Sequence, residues 1–444
     1  HMLHADWKIN DNLELRSISS WRKLKQDQRD NSIGAHSSPW RANGTFARYS
    51  MASLRQSQYS QEFQIIGNKD ELKYVGGVYF YHEEGDDDAW TPNTARWNSN
   101  ATAFTYLQSL AAGAAWAFPD RASTAEATSK ALFGQFTYSP KFLNSKAHLT
   151  LGLRYTQDEK EGLLYKVNGA DVSYRFDISS EHTDPLVNIA YDLTDNINMY
   201  LKWGTAYRAG GANSRSVSYR AFDAENVEAT EFGFKSEFWN KKARFNFAAY
   251  STKYTDIQID FSATNLNNSN RGTLETVNAP GEGEIKGIEA DLSINPIKGL
   301  SFGINYAYTK GDLPKAANPF AGNALSNVFI VYTPENAAGV TIDYEKQLSF
   351  ARLIAHLDAN YADGYHGSSS EDYLTDKSMV VNGRLALSDI SLNKDTKLKV
   401  SLWARNLLNE QHTFYESRGA YAFLGTFAMF NEPLTYGIDF NVKY

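Results

Sequence analysis

The sequence predicts an all-β protein: an antiparallel up-and-down transmembrane β-barrel of about 16 strands, with long loops at one end and short turns at the other. Three observations predict it. Apolar and polar residues alternate with a period of two through most of the chain. Short and long connections alternate between those segments. No run of about 18 consecutive apolar residues exists, so no transmembrane helix is expected.

The alternation is clearest in the last residues, "LTYGIDFNVKY", where Tyr436, Ile438, Phe440, Val442 and Tyr444 alternate with Gly437, Asp439, Asn441 and Lys443. A two-faced run of this length suits a tilted strand crossing a bilayer. The pattern recurs at Leu149, Leu151, Leu153 and Tyr155, at Phe232, Phe234 and Phe238, at Phe302, Ile304, Tyr306 and Tyr308, and at Leu398, Val400 and Leu402. Strands are expected near 13–22, 57–66, 72–84, 128–138, 146–160, 182–192, 197–209 and 228–239. Further strands are expected near 243–260, 283–295, 300–311, 335–346, 350–362, 379–390, 396–408 and 434–444.

Between them, short turns such as "GNKDE" (67–71), "LTDN" (193–196), "WNKK" (239–242), "NPIKG" (295–299), "EKQLS" (345–349) and "NKDTK" (393–397) fall at every second junction. Long polar loops are expected at 86–127, 161–181, 210–227, 261–282, 312–334, 363–378 and 409–433. Sandwiches and propellers do not tie loop length to parity, whereas outer-membrane barrels pair tight periplasmic turns with long outer loops. Parity then puts the C-terminus in the periplasm and the long loops outside.

The two faces of the strands differ in kind. One is Leu, Phe, Val and Tyr; the other carries Arg154, Lys235, Arg244, Glu289, Asp291, Asp343, Arg384 and Arg405. A soluble barrel hides its apolar face inside, so this pattern needs lipid outside and water or a polar filling within. Leu398, Val400, Leu402, Phe440 and Val442 are thus expected to face lipid, and Lys397, Lys399, Asp439 and Asn441 the lumen, since a one-residue slip would invert them all.

Composition narrows the function. Hydrophobic content is an ordinary 42%, but aromatics reach 14%, as girdles at two membrane interfaces require. Mean hydropathy of −0.49 does not argue for solubility, because half of each barrel strand faces a polar lumen. The net charge of −7 opposes a nucleic-acid partner. Cys is 0, consistent with export without a disulfide framework. "HMLHADWKIND" has no apolar signal-peptide core, and its leading His1-Met2 reads as a cloning remnant, so a mature fragment is expected.

Several motifs then resemble one family in order and spacing. "WGTAYRAGGANSRS" (203–216) followed by "DAENVEATEFGFK" (223–235) resembles the mid-barrel signature of TonB-dependent outer-membrane receptors. "YSQEFQI" (59–65), "GEIKGIEADLSINPIKGLSFGINYAYTKG" (283–311), "VSLWARNLLNEQ" (400–411) and the terminal "PLTYGIDFNVKY" are similar to that family too, so the resemblance runs from about residue 7 to the end. It implies a barrel of about 22 strands around an N-terminal plug with a TonB-contacting box. Neither plug nor box is seen, and about 6 strands are short of that count, so residues 1–444 are expected to be one incomplete barrel domain, the C-terminal portion of a receptor.

The resemblance implies TonB-energised uptake of a scarce solute, foremost a ferric siderophore or similar metal chelate, with no reaction catalysed and no cofactor. Its implied partners are outer-membrane lipid and lipopolysaccharide, TonB, the barrel-assembly machinery and the ligand. The terminal aromatic pattern of Tyr436, Phe440 and Tyr444 is similar to the family's assembly signal. Glu231 and Glu289 match two barrel glutamates that dock the plug's arginines; pairing with Lys235 or Lys286 is the alternative. A passive porin, a receptor for an oligosaccharide or aromatic compound, and a membrane-embedded hydrolase or adhesin remain open as other readings.

Candidate ligand residues lie in two loops: Trp90, Trp97 and Trp116 in the first, with Arg96, Tyr106 and Phe118, and Arg215, Tyr219 and Arg220 in the second. Arginine beside aromatics suits an anionic, planar or catecholate-like group through charge-assisted hydrogen bonds and stacking. Ordinary loop packing and rim aromatics are the competing explanation. HExxH, CxxC and P-loop motifs are missing, and the nine His are scattered; His36, His366 and His412 read as solvated loop residues before metal or haem ligands. The run "EEGDDD" (83–88) reads as a solvated acidic tip at the lipopolysaccharide boundary, ahead of a cation site.

Overall fold

The computed structural model describes residues 1–30, 42–47, 50–90, 93–106, 119, 121–264, 272–417 and 427–444. Among them, seventeen strands form one antiparallel sheet in which each strand pairs with the next along the chain. The first seven are β1 (Met2–Asn10), β2 (Leu13–Asp30), β3 (Ser50–Lys69), β4 (Leu72–Trp90), β5 (Arg121–Tyr138), β6 (Ala147–Val167) and β7 (Ala170–Thr194). Then come β8 (Ile197–Arg208), β9 (Glu225–Phe238), β10 (Ala243–Thr255), β11 (Glu282–Ile297) and β12 (Leu300–Asp312). The last are β13 (Asn336–Gln347), β14 (Arg352–Ala362), β15 (Ser378–Ser391), β16 (Lys397–Arg405) and β17 (Thr435–Lys443). This is the up-and-down topology expected; among the described residues no ladder joins β1 to β17.

The short/long alternation holds from end to end, with one exception. The expected loop at 161–181 is instead continuous β-structure, β6 and β7 joined by Asn168 and Gly169 alone at φ 51° and 80°. Asn-Gly is the preferred pair for such a type I′ turn, whose twist matches the strands it joins. The segment looked like a loop because past the bilayer its outer face turns to Glu161, Arg175 and Asp177, while its apolar Leu164, Phe176 and Ile178 face inward, so the lipid-facing period-two pattern of the lower strand is lost. The expected loop at 86–127 shrinks for the same reason, since β4 runs to Trp90 and β5 starts at Arg121.

Two further corrections concern strand ends. Met2–Asn10, which is not among the expected strands, pairs with β2 from Met2↔Ser20 to Asn10↔Leu13. Its alternation of Leu3, Trp7 and Ile9 with His4, Asp6 and Lys8 was masked by its shortness and by Ala5 at the apolar position between Leu3 and Trp7. The strand expected to reach residue 260 stops at Thr255, where Asp256 takes φ 55°, and Gln258–Thr264 starts a separate hairpin with Gly272–Asn278.

Strand length divides the sheet into two sectors. β2–β7 have 18 to 25 residues each, whereas β8–β17 have 9 to 16. A span uses about 10 residues, so β2–β7 rise roughly 25–50 Å further along the strand. One sector is a tall wall, the other a low one.

The faces divide as the alternation requires. Phe63, Val78, Leu132 and Leu153 are 54%, 48%, 62% and 55% exposed on the outer face, and Leu402, Phe440 and Val442 are 51%, 69% and 51% exposed. On the other face the Arg154 guanidinium lies over the rings of Tyr79 and Phe133, 5.7 Å from each centroid. Asp439 there accepts from Arg384 at 2.9 Å and from Trp403 Nε1 at 3.2 Å. Leu402→Arg should therefore cost about 2–4 kcal/mol, and Lys399→Gln less than about 0.5 kcal/mol, in urea unfolding from lipid vesicles. Equal costs would overturn the assignment of faces.

Candidate functional site

The well-buried apolar side chains sit largely in the loops rather than between the strands. Ile259, Phe261, Ala279, Ala316 and Val328 form one cluster that locks the 256–281 hairpin to the 313–335 loop. Leu164, Phe176 and Tyr219 form another, which pins the 209–224 loop to the inner face of the tall wall. The loops at the tall end therefore form a packed layer with its own small cores.

The 209–224 loop is held from several sides. Lys160 donates to the Gly210 carbonyl at 3.0 Å and Ser214 to Asp87 at 3.0 Å. Glu225, only 7% exposed, takes Arg208 through two contacts of 3.0 Å and the Gln258 N–H at 2.7 Å. Gln258 Nε2 donates to the carbonyls of Ala209 at 3.2 Å and Asp223 at 3.0 Å. Buried Glu275 accepts from Ser216 Oγ at 2.8 Å, and the Arg215 carbonyl accepts from Thr273 Oγ1 at 2.9 Å. Sequence reasoning gave Glu225 and Glu275 no role. Glu225 lies in the quoted "DAEN" stretch, but its clasp depends on a strand end 17 residues upstream.

The predicted ligand residues separate into fixed and available groups. Tyr219 is fixed: 2% exposed, edge-on to Phe176 at 5.0 Å between centroids, its hydroxyl donating to the Thr124 carbonyl at 3.4 Å. Burial, helped by Asp87, pushes its phenol up to about 12, so it stays protonated. Trp97 is likewise buried, edge-on to Phe104 at 5.5 Å in a small sheet built from Thr45–Ala47, Asn93–Trp97 and Phe104–Tyr106. Trp90 ends β4 opposite Met51 and is half-buried. Arg215, Arg220, Arg96 and Tyr106 are exposed. Trp116, Phe118 and His36 lie outside the described residues.

The histidines read as packing groups. His366 stacks on Phe329 at 4.1 Å, and His412 lies 3.6 Å from Glu410. No group of three or more potential metal-ligating side chains occurs among the described residues.

On the inner wall, Glu231 accepts from Tyr200 at 2.6 Å, and Lys235 lies over the Tyr200 ring at 5.7 Å. Lys286 pairs with Glu284 at 3.0 Å. Glu289 is exposed to the lumen and makes no ion pair among the described residues. Cross-strand register sets Glu231 opposite Tyr250 and Gly287, two residues from the row Gly233–Ala248–Glu289, so the Cα atoms of the two glutamates lie roughly 12 Å apart on the same face. At the terminus, Tyr436, Phe440 and Tyr444 are 75%, 69% and 92% exposed.

A reciprocal latch ties two further loops. Asp376 Oδ2 accepts from Thr413 N–H at 2.8 Å and Oγ1 at 2.9 Å, while the Asp376 N–H donates to Thr413 Oγ1 at 3.1 Å. The backbone and hydroxyl donors of Thr413 hold the Asp376 carboxyl below its ordinary value of 3.8. A lowered native pKa makes the latch fully effective above that value and lost as pH falls through the native one. Spin labels on Ser370 and Met429 should hold one distance at every pH above 3.8 and spread only as the pH falls below it, a change Asp376→Asn should not show. A pH-independent distance distribution would refute it.

Truncating Tyr219 should free its loop. By the scale of aromatic truncations, Tyr219→Ala costs about 3 kcal/mol locally, so trypsin cleavage at Arg215 and Arg220 should rise well over tenfold. An unchanged cleavage rate would mean that the polar clasp alone holds the loop.

The family model described as TonB dependent receptor-like, beta-barrel matches residues 1–407. A curated relative, the Ferric-pyoverdine 358 receptor of Pseudomonas putida, is 24% identical over 177 residues, 40% of this chain and 21% of its own length. The fold is similar to that of the ferric yersiniabactin uptake receptor FyuA from Yersinia pestis, with a TM-score of 0.74 and 15% identity over 100% of this chain and 60% of that one. It is also similar to the siderophore receptor PiuA from Acinetobacter baumannii, with a TM-score of 0.70 and 17% identity over 100% of this chain and 63% of that one. The chain thus spans about a fifth of the curated relative and about three-fifths of these solved chains. It belongs to the TonB-dependent receptor-like β-barrel family.

Proposed function

We propose that residues 1–444 form the barrel of an outer-membrane receptor for TonB-energised uptake of a ferric siderophore or similar metal chelate. The observation that carries this reading is the family match over residues 1–407, joined to an apolar outer face and a charged inner one. Relatives named as receptors for ferric pyoverdine and ferric yersiniabactin supply the ligand class. In this reading the loop layer faces outward, the short turns and C-terminus face the periplasm, and lipopolysaccharide surrounds the wall. Tyr436, Phe440 and Tyr444 act in recognition by the barrel-assembly machinery. The exposed guanidiniums of Arg215 and Arg220 offer charge-assisted donors to an anionic chelate.

Glu231 and Glu289 are the proposed docking points for a plug. Neither forms an ion pair with a wall cation among the described residues, so both remain open to arginines from within the lumen. Ion pairs in a partly wet lumen separate at modest cost, which suits a plug that must move.

The test uses the full-length receptor in cells given a radiolabelled ferric chelate. Uptake should require TonB, and Glu231→Gln with Glu289→Gln should lower it several-fold while making the plug more protease-sensitive. TonB-independent uptake that rises linearly with concentration would favour a passive porin. Normal transport with a protected plug in the double variant would remove the docking role alone.

A further inference from the structure

At the boundary between the tall and low walls, β7 outruns its neighbour. Its ladder to β8 ends at Leu186↔Gly204, whereas its ladder to β6 continues to Ala170↔Val167. Side chains of β8 reach a little further: Thr205 Oγ1 donates to Asp184 at 3.1 Å, and the Tyr207 ring stacks on His182 at 4.6 Å. Beyond these contacts, Tyr174–Glu181 pairs with β6 on one side only. On the other, no strand and no loop backbone bonds to it among the described residues. A strand edge of this kind is a template for another chain, and proteins blunt such edges with proline, lysine or bulges. Here the blunting stands at the two ends, with Pro185 at one and a register shift between Asp171 and Tyr174 at the other. Tyr174–Glu181 itself holds no proline, lysine or bulge, and its Tyr174, Phe176 and Ile178 are strand-favouring types.

Charge indicates what an added strand must carry. The outward face of the tall wall has a groove of about 820 Å³ that crosses β2–β7 and ends at Arg175 and Asp177 on this edge. Within it Glu84, Glu126, Glu161 and Asp177 stand in one cross-strand row on β4–β7. Like charges directly opposed across strands destabilise a sheet. His82 reaches Glu84 at 3.4 Å and Glu126 at 3.7 Å, but Glu161 and Asp177 form no ion pair among the described residues. The next position in that row, beside Asp177, is the one an added strand fills.

We propose that the Tyr174–Glu181 edge takes an extended, cationic segment of a partner protein as an added antiparallel strand. The segment's backbone meets the unpaired N–H and C=O groups of the edge, which supplies affinity and continues the antiparallel order of the sheet. A lysine or arginine beside Asp177 ends the carboxylate row on a cation, which supplies selection. The same row repels an acidic segment, so the edge discriminates by charge as well as by shape. None of this depends on which solute the barrel carries.

The probe is a fluorescent peptide of about ten residues, threonine and valine in alternation, with a central lysine to stand beside Asp177. A second peptide carries glutamate in place of the lysine, and a third is the lysine peptide methylated on its backbone nitrogens. Titrated by fluorescence anisotropy against the full-length receptor in detergent, the lysine peptide should bind at least roughly fivefold more tightly than either of the others. Asp177→Lys should reverse the preference between the lysine and glutamate peptides, with heat-modifiable migration on gels checking that the variant folds. Bound lysine peptide should also slow hydrogen exchange across 174–181. No binding of the lysine peptide, or equal binding of its methylated form, would remove the added strand. An unchanged preference in Asp177→Lys, or binding that leaves exchange at 174–181 unaltered, would overturn this edge as the seat.

Discussion

In hydrocarbon a backbone N–H or C=O has no water to fall back on, and everything else in this molecule depends on that constraint. It favours a ladder in which each of seventeen strands pairs with its sequence neighbour. The ladder fixes register, and register fixes which side chain meets lipid. The outer apolar residues thus contribute through lipid contact, not through a central core. The compact clusters that a soluble protein would place between its sheets appear instead in the loops, around Phe261 and around Tyr219.

Beyond the bilayer the constraint changes character. The upper part of β2–β7 has water on its outside, so polar residues become acceptable on both faces, while pairing still fixes alternation. The acidic run shows this residue by residue. Glu84 and Asp86 point outward into the groove, whereas Glu83 turns inward to accept from Gln56 at 2.5 Å, and Asp87 to accept from Ser214. The inner face of the wall serves as a backing plate for the 209–224 loop. Gly162 makes the space: a Cβ there would lie 2.5 Å from the Phe176 ring and 2.6 Å from the Tyr219 hydroxyl. One glycine on β6 thereby determines how closely a loop some fifty residues later can approach.

This explains what was legible in the sequence. Where one face met lipid and the other the lumen, as at 436–444 or 300–311, alternation identified strand and facing together. Where the outer face turned charged and the apolar side chains moved to the inner one, the lipid-facing pattern was lost, and the β6–β7 extension read as a loop despite its Asn-Gly turn. At the candidate site, residue type singled out Arg215, Tyr219 and Arg220 but could not separate them. Tyr219 is packing and the arginines are exposed, a difference set by Leu164 and Phe176, whose places follow from register across other strands. The Asp376–Thr413 latch was equally invisible, since it joins loops 37 residues apart.

The separation of fixed and free groups within one short loop bears on ligand capture. The Arg215 carbonyl is held by Thr273 and its N–H donates to Asn213 Oδ1 at 2.9 Å, so the backbone beneath the guanidinium is tied at two points. Tyr219, next to Arg220, is locked at φ 53° by its buried ring. Ordering a loop on binding subtracts from affinity, and a backbone already ordered avoids most of that loss. What remains is the rotamer freedom of two long side chains, about 2 kcal/mol each at most. A scaffold of this kind fixes where the charges stand while leaving their heads adaptable. Exchanging exposed residues on the loop would then alter which anion is preferred without disturbing the clasp of Glu225 and Glu275 that holds it.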